Sequence, residues 1–468
     1  MKVMLNVKTR HLYGKMFKDL VFPAIQRISG RDTMAILEES EVMQWLPRDE
    51  ILRRQWKKLH RLLQHAYQTV PYYRGIFKEV GVTPEDIRTP EEFSRLPLLS
   101  KDDLRGDPRA LFSDIRRGEL KEFRTGGSTG EPFPFWKDSR AIAAGLADIR
   151  RTRLWWGIGL ENRVVRFWGN SASLASGFKG WSRNRLNPLK QRLMNRREFS
   201  TYNMSPERMR EDWKKIKKYS PRMILGYASA LYLLARFLEE EGLNAREAGI
   251  ELIVSTSEML YESQRKLIEE VFGAKVALRY GTNEVGELAF ECPSGSLHTL
   301  DDHVYLELVR TEEVKDLPEE YGEVVVTYLE NYGAPLIRYR LHDIASRQDM
   351  ACSCGLGLGM ISKLKGRVHD IITTPDGRNV HGELFTHIFD QIEGVRKFQV
   401  VQVARDRLTI TIVAPELTSD QESFLRQRLT ENLGKGMDVS LRYVDDIPLE
   451  GTGKFRWVKN LLLKNAEN

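Results

Sequence analysis

Arg124 to Trp136 reads RTGGSTGEPFPFW, with three glycines, a serine and two threonines inside seven residues and a proline two positions later. Successive backbone N–H groups on such a turn can converge on an anion, and neighbouring hydroxyls add donors. The stretch therefore reads as a phosphate cradle, with a plain hairpin turn as the competing reading. The nucleotide-kinase form G-x-x-x-x-G-K-[ST] is absent, because no lysine follows Gly130 or lies within the loop. The rest of the chain has to decide.

Outward from the loop, helical and extended patterns alternate. Residues 51 to 70 carry Leu52, Trp56, Leu59, Leu63 and Ala66 at three- and four-residue steps, one apolar helix face, which Pro71 ends. A helical pattern from about Glu207 to Lys218 precedes MILGY, read as a buried strand. Residues 229 to 242 read as helix, 251 to 258 as strand, 261 to 273 as helix and 275 to 281 as strand. This alternation predicts a parallel or mixed α/β sheet. After Leu300 the texture turns to strands, VYLELV, GEVVVTYL and LIRYRL. The last hundred or so residues have their own pattern: KFQVVQVARDRLTITIVA as a hairpin, QESFLRQRLTENLG as a helix and VSLRYVDDIP as a closing strand. A domain boundary is expected near 366, dividing the chain into 1–365 and 366–468.

TGGSTGEP resembles the phosphate-binding loop of the adenylate-forming enzymes, the superfamily of acyl- and aryl-coenzyme A ligases, luciferases and peptide-synthetase adenylation domains. Further segments follow in that superfamily's order. RYGTNEVGE (279 to 287) resembles its nucleotide-binding segment, YRLHDIA (339 to 345) its ribose-binding segment, GRVHD (366 to 370) its hinge, and LEGTGKFR (449 to 456) its catalytic-lysine segment. The run HAYQTVPYYRGIFKEVGVTPEDIRTPEEFSRLPLLSKDDLR (65 to 105) is similar to the phenylacetate-coenzyme A ligase branch and its relatives in capsular-polysaccharide loci. The resemblance spans essentially the whole chain. It implies an α/β fold, with a large N-terminal adenylate-forming domain of mixed sheets and helices and a small C-terminal α+β lid.

The implied chemistry joins a carboxylate to ATP, releases pyrophosphate and passes the acyl group to coenzyme A. Two anions must meet, so the site needs neutralisation and positioning more than a base. By resemblance, Thr125, Gly126, Gly127, Ser128, Thr129 and Gly130 hold the β- and γ-phosphates. Tyr280 and Gly281 flank the adenine with Thr282 and Asn283 beside them, and Glu258 lines the same pocket. Asp343, an all-acceptor carboxylate, takes the ribose hydroxyls with Arg367 in reach. Glu284 holds Mg²⁺. Lys454 is the catalytic lysine, a point charge on a flexible stem. Two positions depart from the pattern: Asn283 stands where Ser or Thr is usual, and the hinge reads His369–Asp370 where the superfamily usually has Asp–Asp. The first costs little, since an amide can still donate. The second bears on rotation of the small domain and so on thioester formation.

The three cysteines fall in two places, Cys292 in ECPSGSLH and the pair Cys352 and Cys354 in ACSCG. With His298 they form a ligand set that suits Zn²⁺ in a reducing compartment, closed and structural because no position is left for water. Three cysteines packed as small hydrophobes is the alternative, and His303 is the rival fourth ligand. The resembled branch often carries such a cluster here.

Hydrophobic residues make up 41% and charged ones 29% of the 468 residues, with no apolar run of membrane-spanning length and no secretion signal at the start. A cytoplasmic protein is expected. The net charge of +7 suits a polyphosphate ligand, an anionic surface or nucleic acid without choosing among them. From Lys179 to Arg197 the chain carries seven cations and no acid, either a solvated face or a contact for an anionic surface. A second enzymatic reading hands the acyl group to a carrier-protein thiol or an amino sugar. A non-catalytic zinc-containing nucleic-acid binder is the reading from another class; the ordered nucleotide segments argue against it, and no specific nucleic acid is expected.

Overall fold

The computed structural model describes residues 16–28, 31–104, 106–115, 120–124, 133–169, 191, 195–315, 317–348, 351–367, 371–389, 391–449 and 455–462. The strands in chain order are β1 Lys121–Arg124, β2 Pro134–Lys137, β3 Val164–Trp168, β4 Arg196–Ser200, β5 Met223–Tyr227, β6 Leu252–Thr256, β7 Lys275–Thr282, β8 Gly286–Glu291, β9 Leu297–Thr299, β10 Val304–Val309, β11 Tyr321–Tyr328, β12 Tyr339–Gln348 and β13 Met360–Arg367. All but the β1–β2 hairpin join one eleven-stranded sheet of order β10-β11-β12-β13-β9-β8-β7-β6-β5-β3-β4. From β7 to β4 the pairing is parallel, and from β10 to β7 it is antiparallel. The mixed α/β sheet expected from the alternation is present.

Parallel strands covered on both faces read as unbroken apolar runs. MILGY does so, and all five residues of β5 are buried. One face packs against helices Pro206–Tyr219, Ala228–Glu240 and Glu262–Phe272 through residues such as Ile224, Ile253, Trp213, Leu234 and Ile268. The other packs Leu225, Val254 and Ala277 under the end of helix Ser139–Leu154. Each large aliphatic side chain buried this way contributes roughly 1.5–3 kcal/mol. Helix ends follow their local chemistry. Ser205 caps one start by accepting from Arg208 N–H, with Pro206 behind it, and Gly273 ends the 262–272 helix in a left-handed turn.

Helix Arg48–Thr69 ends just before Pro71, which instead starts the next helix, Pro71–Val80. Its buried face is Ile51, Gln55, Leu59, Leu62, Leu63 and Ala66, one step away from Leu52, which is 43% exposed. LIRYRL is a strand only from Tyr339 onward. Arg338 adopts φ +52°, and its guanidinium is held by the carbonyls of Ser94 and Leu96 and by Glu307.

After β13 come the short pair β14 Ile371–Thr373 and β15 Asn379–His381, then β16 Lys397–Ala404, β17 Arg407–Val413, β18 Asp438–Tyr443 and β19 Val458–Asn460. The last four form a sheet of order β18-β17-β16-β19 around an antiparallel hairpin. Helices Glu383–Phe389 and Ser419–Leu433 cover it, burying Phe385, Val400, Ile410, Leu425 and Leu429. This is the small α+β unit beside the large sheet. No helix among the described residues is long and apolar enough to cross a membrane.

Candidate active site

The glycine-rich loop springs from the β1–β2 hairpin, whose last pair is Arg124↔Pro134. Residues 125 to 132, with Thr125, Gly126, Gly127, Ser128, Thr129 and Gly130, lie outside the described residues. The exit of the hairpin is fixed by Asp138. Its carboxylate accepts from Ala141 N–H at 2.8 Å, capping helix Ser139–Leu154, and from the N–H groups of Tyr332 and Gly333 at 3.0 and 2.9 Å. Phe135 stacks on Phe123 and Trp136 packs edge-on against Phe112, so both rings serve the hairpin's own packing.

RYGTNEVGE forms the β7–β8 turn. Thr282 Oγ1 accepts from Val285 N–H at 3.1 Å, closing the turn. Gly281 is required there, because a Cβ would lie 2.2 Å from Gly286 O. Asn283 is exposed and Glu284 buried. Tyr280 Oη donates to Asp343 Oδ2 at 2.8 Å, joining two segments 63 residues apart. On β12, Asp343 sits opposite Arg367 of β13, while His369 and Asp370 lie outside the described residues. The backbone around Asp343 is irregular. His342 adopts φ +58°, and the register slips on both sides of β12. Glu323 on β11 holds this turn by accepting from Arg340 at 3.0 and 2.6 Å and pairing with His342 at 3.3 Å.

Glu284 meets two residues that the sequence reading passed over as site residues. Lys101 Nζ is 2.9 Å from its Oε1, and Tyr339 Oη donates to the same oxygen at 3.4 Å. Lys101 arrives because Leu99 is stitched to β12: Leu99 N–H donates to Arg338 O and Arg340 N–H donates to Leu99 O. Its only sequence signal was its place in the K-D-D-L-R run. Lys137, at the end of β2, lies over the rings of Phe135 and Tyr328 at 5.7 and 5.8 Å. Burial pulls its pKa down to about 8 while the Glu284 charge pulls it back up. Only the Glu284 carboxylate in this group is the hard oxygen ligand that Mg²⁺ takes; the Lys101 ammonium paired with it adds positive charge and no ligand atom.

Glu258 follows Ser257, which adopts φ +69° at the end of β6. One carboxylate oxygen accepts from Ser229 N–H at 2.8 Å, in the first turn of helix Ala228–Glu240. The other accepts from Phe455 N–H at 2.9 Å, across from the small unit. Lys454, the residue before, lies outside the described residues. A second link crosses between the units where Arg236 donates to Val395 O at 3.4 Å.

Away from this cleft, Cys292, His298, Cys352 and Cys354 bring their ligand atoms within 4.8 Å of one another. Cys292 Sγ and Cys352 Sγ are 3.7 Å apart, close to the roughly 3.8 Å between two sulfurs held at ~2.3 Å in a tetrahedron. His298 Nε2 is 3.2 Å from Cys354 Sγ, and its Nδ1 is 3.3 Å from Leu358 O. That bond fixes the tautomer that leaves Nε2 bare for a metal. Burial opposes ionisation of Cys352, but hydrogen bonds from Ser296, the Cys354 amide and His298 hold its pKa down to about 6. The donor set fits Zn²⁺. His303 is no part of it. It is buried with Nδ1 at 2.8 Å from Asp148, within a network of Arg151, Asp302, Glu330 and Lys58. Of the basic run, 170–190 and 192–194 lie outside the described residues, while Arg196 pairs with Glu198 and Arg197 lies over Tyr219.

Residues 372–461 match the family described as the CapK C-terminal domain. The phenylacetate-coenzyme A ligase of Thermus thermophilus is 26% identical over 90% of this chain and 98% of its own length. Protein CapK of Staphylococcus aureus is 21% identical over 88% of this chain and 90% of its own. Among solved structures, 2-hydroxyisobutyryl-CoA ligase in its postadenylation state, bound to R3-HIB-AMP, superposes with a TM-score of 0.69 at 21% identity, over 91% of this chain and 94% of that one. The same ligase in its thioesterification state gives 0.59. Along nine-tenths of its length the chain is thus similar to phenylacetate-coenzyme A ligases and to protein CapK, it carries a match to the CapK C-terminal domain, and it shares the fold of a solved CoA ligase.

Proposed function

We propose that the chain is an AMP-forming acid–thiol ligase that activates a carboxylic acid with ATP and passes the acyl group to coenzyme A. The observation that carries this reading is the meeting of Tyr280 with Asp343 at 2.8 Å, close to a buried Glu284. In this reading the substrate carboxylate oxygen attacks the α-phosphorus and the bond to the β-phosphate oxygen breaks, so that pyrophosphate leaves. The thiol then attacks the acyl carbonyl, loses its proton to solvent, and AMP departs.

Thr125, Gly126, Gly127, Ser128, Thr129 and Gly130 would cradle the β- and γ-phosphates. Asp343 and Arg367 would hold the ribose, and Gly281, Thr282 and Asn283 would border the adenine. Glu284 would hold Mg²⁺, which neutralises phosphate charge when bound. Lys454 would meet the charge developing between carboxylate and α-phosphate. We place the division between the units at 366, with His369 and Asp370 at the hinge, and assign a structural Zn²⁺ to the cysteine cluster. Use of ATP and coenzyme A fits a cytoplasmic site of action.

The test is pyrophosphate release over a panel of aryl, fatty, hydroxy and amino acids, with and without coenzyme A, beside Lys454→Ala. Release that needs both acid and coenzyme A and collapses in the variant supports the ligase; no release with any acid rejects it. The CapK-type C-terminal domain favours one second reading, in which a carrier-protein thiol or an amino sugar of an envelope polysaccharide accepts the acyl group. Release that needs only acid and hydroxylamine as a trap, with no effect of coenzyme A, selects it.

A further inference from the structure

The parallel half of the large sheet carries more guanidinium than its carboxylates neutralise. Arg166 on β3 shares a face with Val164, and its row continues through Leu225, Val254 and Ala277, the layer beneath the end of helix Ser139–Leu154. Arg279 lies two residues beyond Ala277 on β7, on the same face. Arg153 is in the last turn of the covering helix, and Trp155 and Trp156, just past its end at Leu154, pack on this layer. Between β3 and β7 lie three strand spacings, roughly 14 Å. Two long side chains can reach across that span to a common ligand.

Glu198 serves both Arg166 at 3.2 Å and Arg196 at 3.3 Å, and Glu287 serves Arg279 at 2.6 Å. The Arg153 side chain has neither a hydrogen bond nor an ion pair among the described residues, and Arg166 Nε is buried without a hydrogen-bond acceptor there. Burial, then Arg279 and Arg166, hold the pKa of Arg153 down to about 9; burial, then Arg196, hold that of Arg166 down to about 10. The chain between β3 and β4 brings no relief, since 170–190 contains no Asp or Glu. Glu198 and Glu287 offset Arg166 and Arg279, and Glu287 acts on Arg153 only at a distance, so Arg153 is the guanidinium of this half-buried group left without a paired carboxylate among the described residues.

The missing anion is distinct from the ribose side of the nucleotide. Tyr280 faces the opposite side of β7, toward Asp343 and the core beneath helix Arg48–Thr69. Ligands of open α/β sheets sit at the carboxyl ends of the parallel strands, and Arg279 stands near that end of β7. We infer that Arg153, Arg166 and Arg279 bind a second anionic group of the acid substrate, so that the acid activated is a dianion whose distal carboxylate or phosphate docks on the guanidiniums. Both groups match the planar fork of arginine. The inference rests on the acid-activating reading above.

Two measurements test it separately from that reading. Melting of the full chain is followed with glutarate and 2-phosphoglycolate against butyrate and glycolate at matched ionic strength. A saturable rise of at least about 2 °C with the dianions alone, lost in Arg153→Met and partly regained in Arg153→Lys, is expected. No saturable rise, or the same rise in Arg153→Met, overturns the site. Pyrophosphate release is then compared for the same pairs. The dianion should be favoured by at least about tenfold in kcat/KM, the scale of one charge-assisted contact, with the ratio falling to about 1 in Arg153→Met and Arg166→Met. Preference for the monoanions overturns the inference and leaves acid activation standing. Saturable anion binding without turnover of any acid removes the acid-activating reading, and the assignment to a substrate falls with it. A glutarate preference without a phosphoglycolate preference identifies the distal group as a carboxylate, and the converse as a phosphate.

Discussion

Glu258 accepts the backbone N–H of Phe455 at 2.9 Å, so a carboxylate of the large unit grips the residue next to Lys454 in the small one. Its other oxygen is tied to the start of helix Ala228–Glu240, and Ser257 before it is held in a left-handed conformation that aims it. The contact can exist only while the small unit is docked as it is here. Removing it should therefore affect one half-reaction. For Glu258→Ala, acid-dependent pyrophosphate release is expected to fall about 10- to 100-fold, the scale of a charge-assisted hydrogen bond. Thioester formation from a supplied acyl-adenylate should change less than about 3-fold. Equal loss in both half-reactions would contradict a docking role, and a rise confined to the KM for ATP would return Glu258 to the adenine pocket.

Tyr280 and Asp343 act as a pair. The phenol donates to Asp343 Oδ2, and in the proposed function the same carboxylate takes the ribose hydroxyls. Tyr280→Phe is expected to raise the KM for ATP about 5-fold, one hydrogen bond's worth. Asp343→Ala should raise it by about 100-fold, because two charge-assisted contacts go together. Initial rates of pyrophosphate release against ATP concentration measure both. Unchanged KM in both variants would show that the ribose binds elsewhere.

The segments that pointed to this cleft were readable because each carries its constraint locally. Gly281 is glycine because the β7–β8 turn closes on it, and MILGY is unbroken apolar sequence because β5 is covered on both faces. What escaped reading depends on distant pairing. Lys101 reaches Glu284 only because Leu99 bridges to β12, and nothing in either segment announces the other. The arginines of β3, β7 and helix Ser139–Leu154 are single residues in ordinary surroundings, and only the sheet order makes them neighbours. Leu52 failed for a simpler reason. A stripe at three- and four-residue steps fits more than one rotation of the helix, and packing chose the one through Ile51 and Gln55.

The cysteine cluster makes a metal prediction. Three thiols and an imidazole whose ligand atoms lie within 4.8 Å tie the β8–β9 turn to the segment before β13. Elemental analysis should find about one zinc per chain. Stripping it, or Cys352→Ala, should lower the melting temperature by at least about 5 °C, since the metal's binding energy is also folding energy. A metal-free preparation with unchanged melting and full activity would leave the three residues as packed thiols.

Glu323 gives the pH dependence its sign. It is fully buried, and burial alone would raise its pKa. His342 and Arg340 outweigh burial and hold it down to about 2, against an ordinary 4.5. A folded pKa below the unfolded one means that its stabilisation is fully present above about pH 4.5 and is lost as pH falls from there through 2. The shift corresponds to roughly 3 kcal/mol. Glu323→Gln should thus be less stable than the parent at pH 7, by a few kcal/mol, and the gap should close as the pH approaches 2. Because the same carboxylate holds the turn at His342, next to Asp343, the variant should also need more ATP for half-maximal rate. Urea unfolding across a pH series reads the first effect and initial rates the second. Parallel stability curves for parent and variant down to pH 2 would mean that the ion pairs at Glu323 do not contribute to folding.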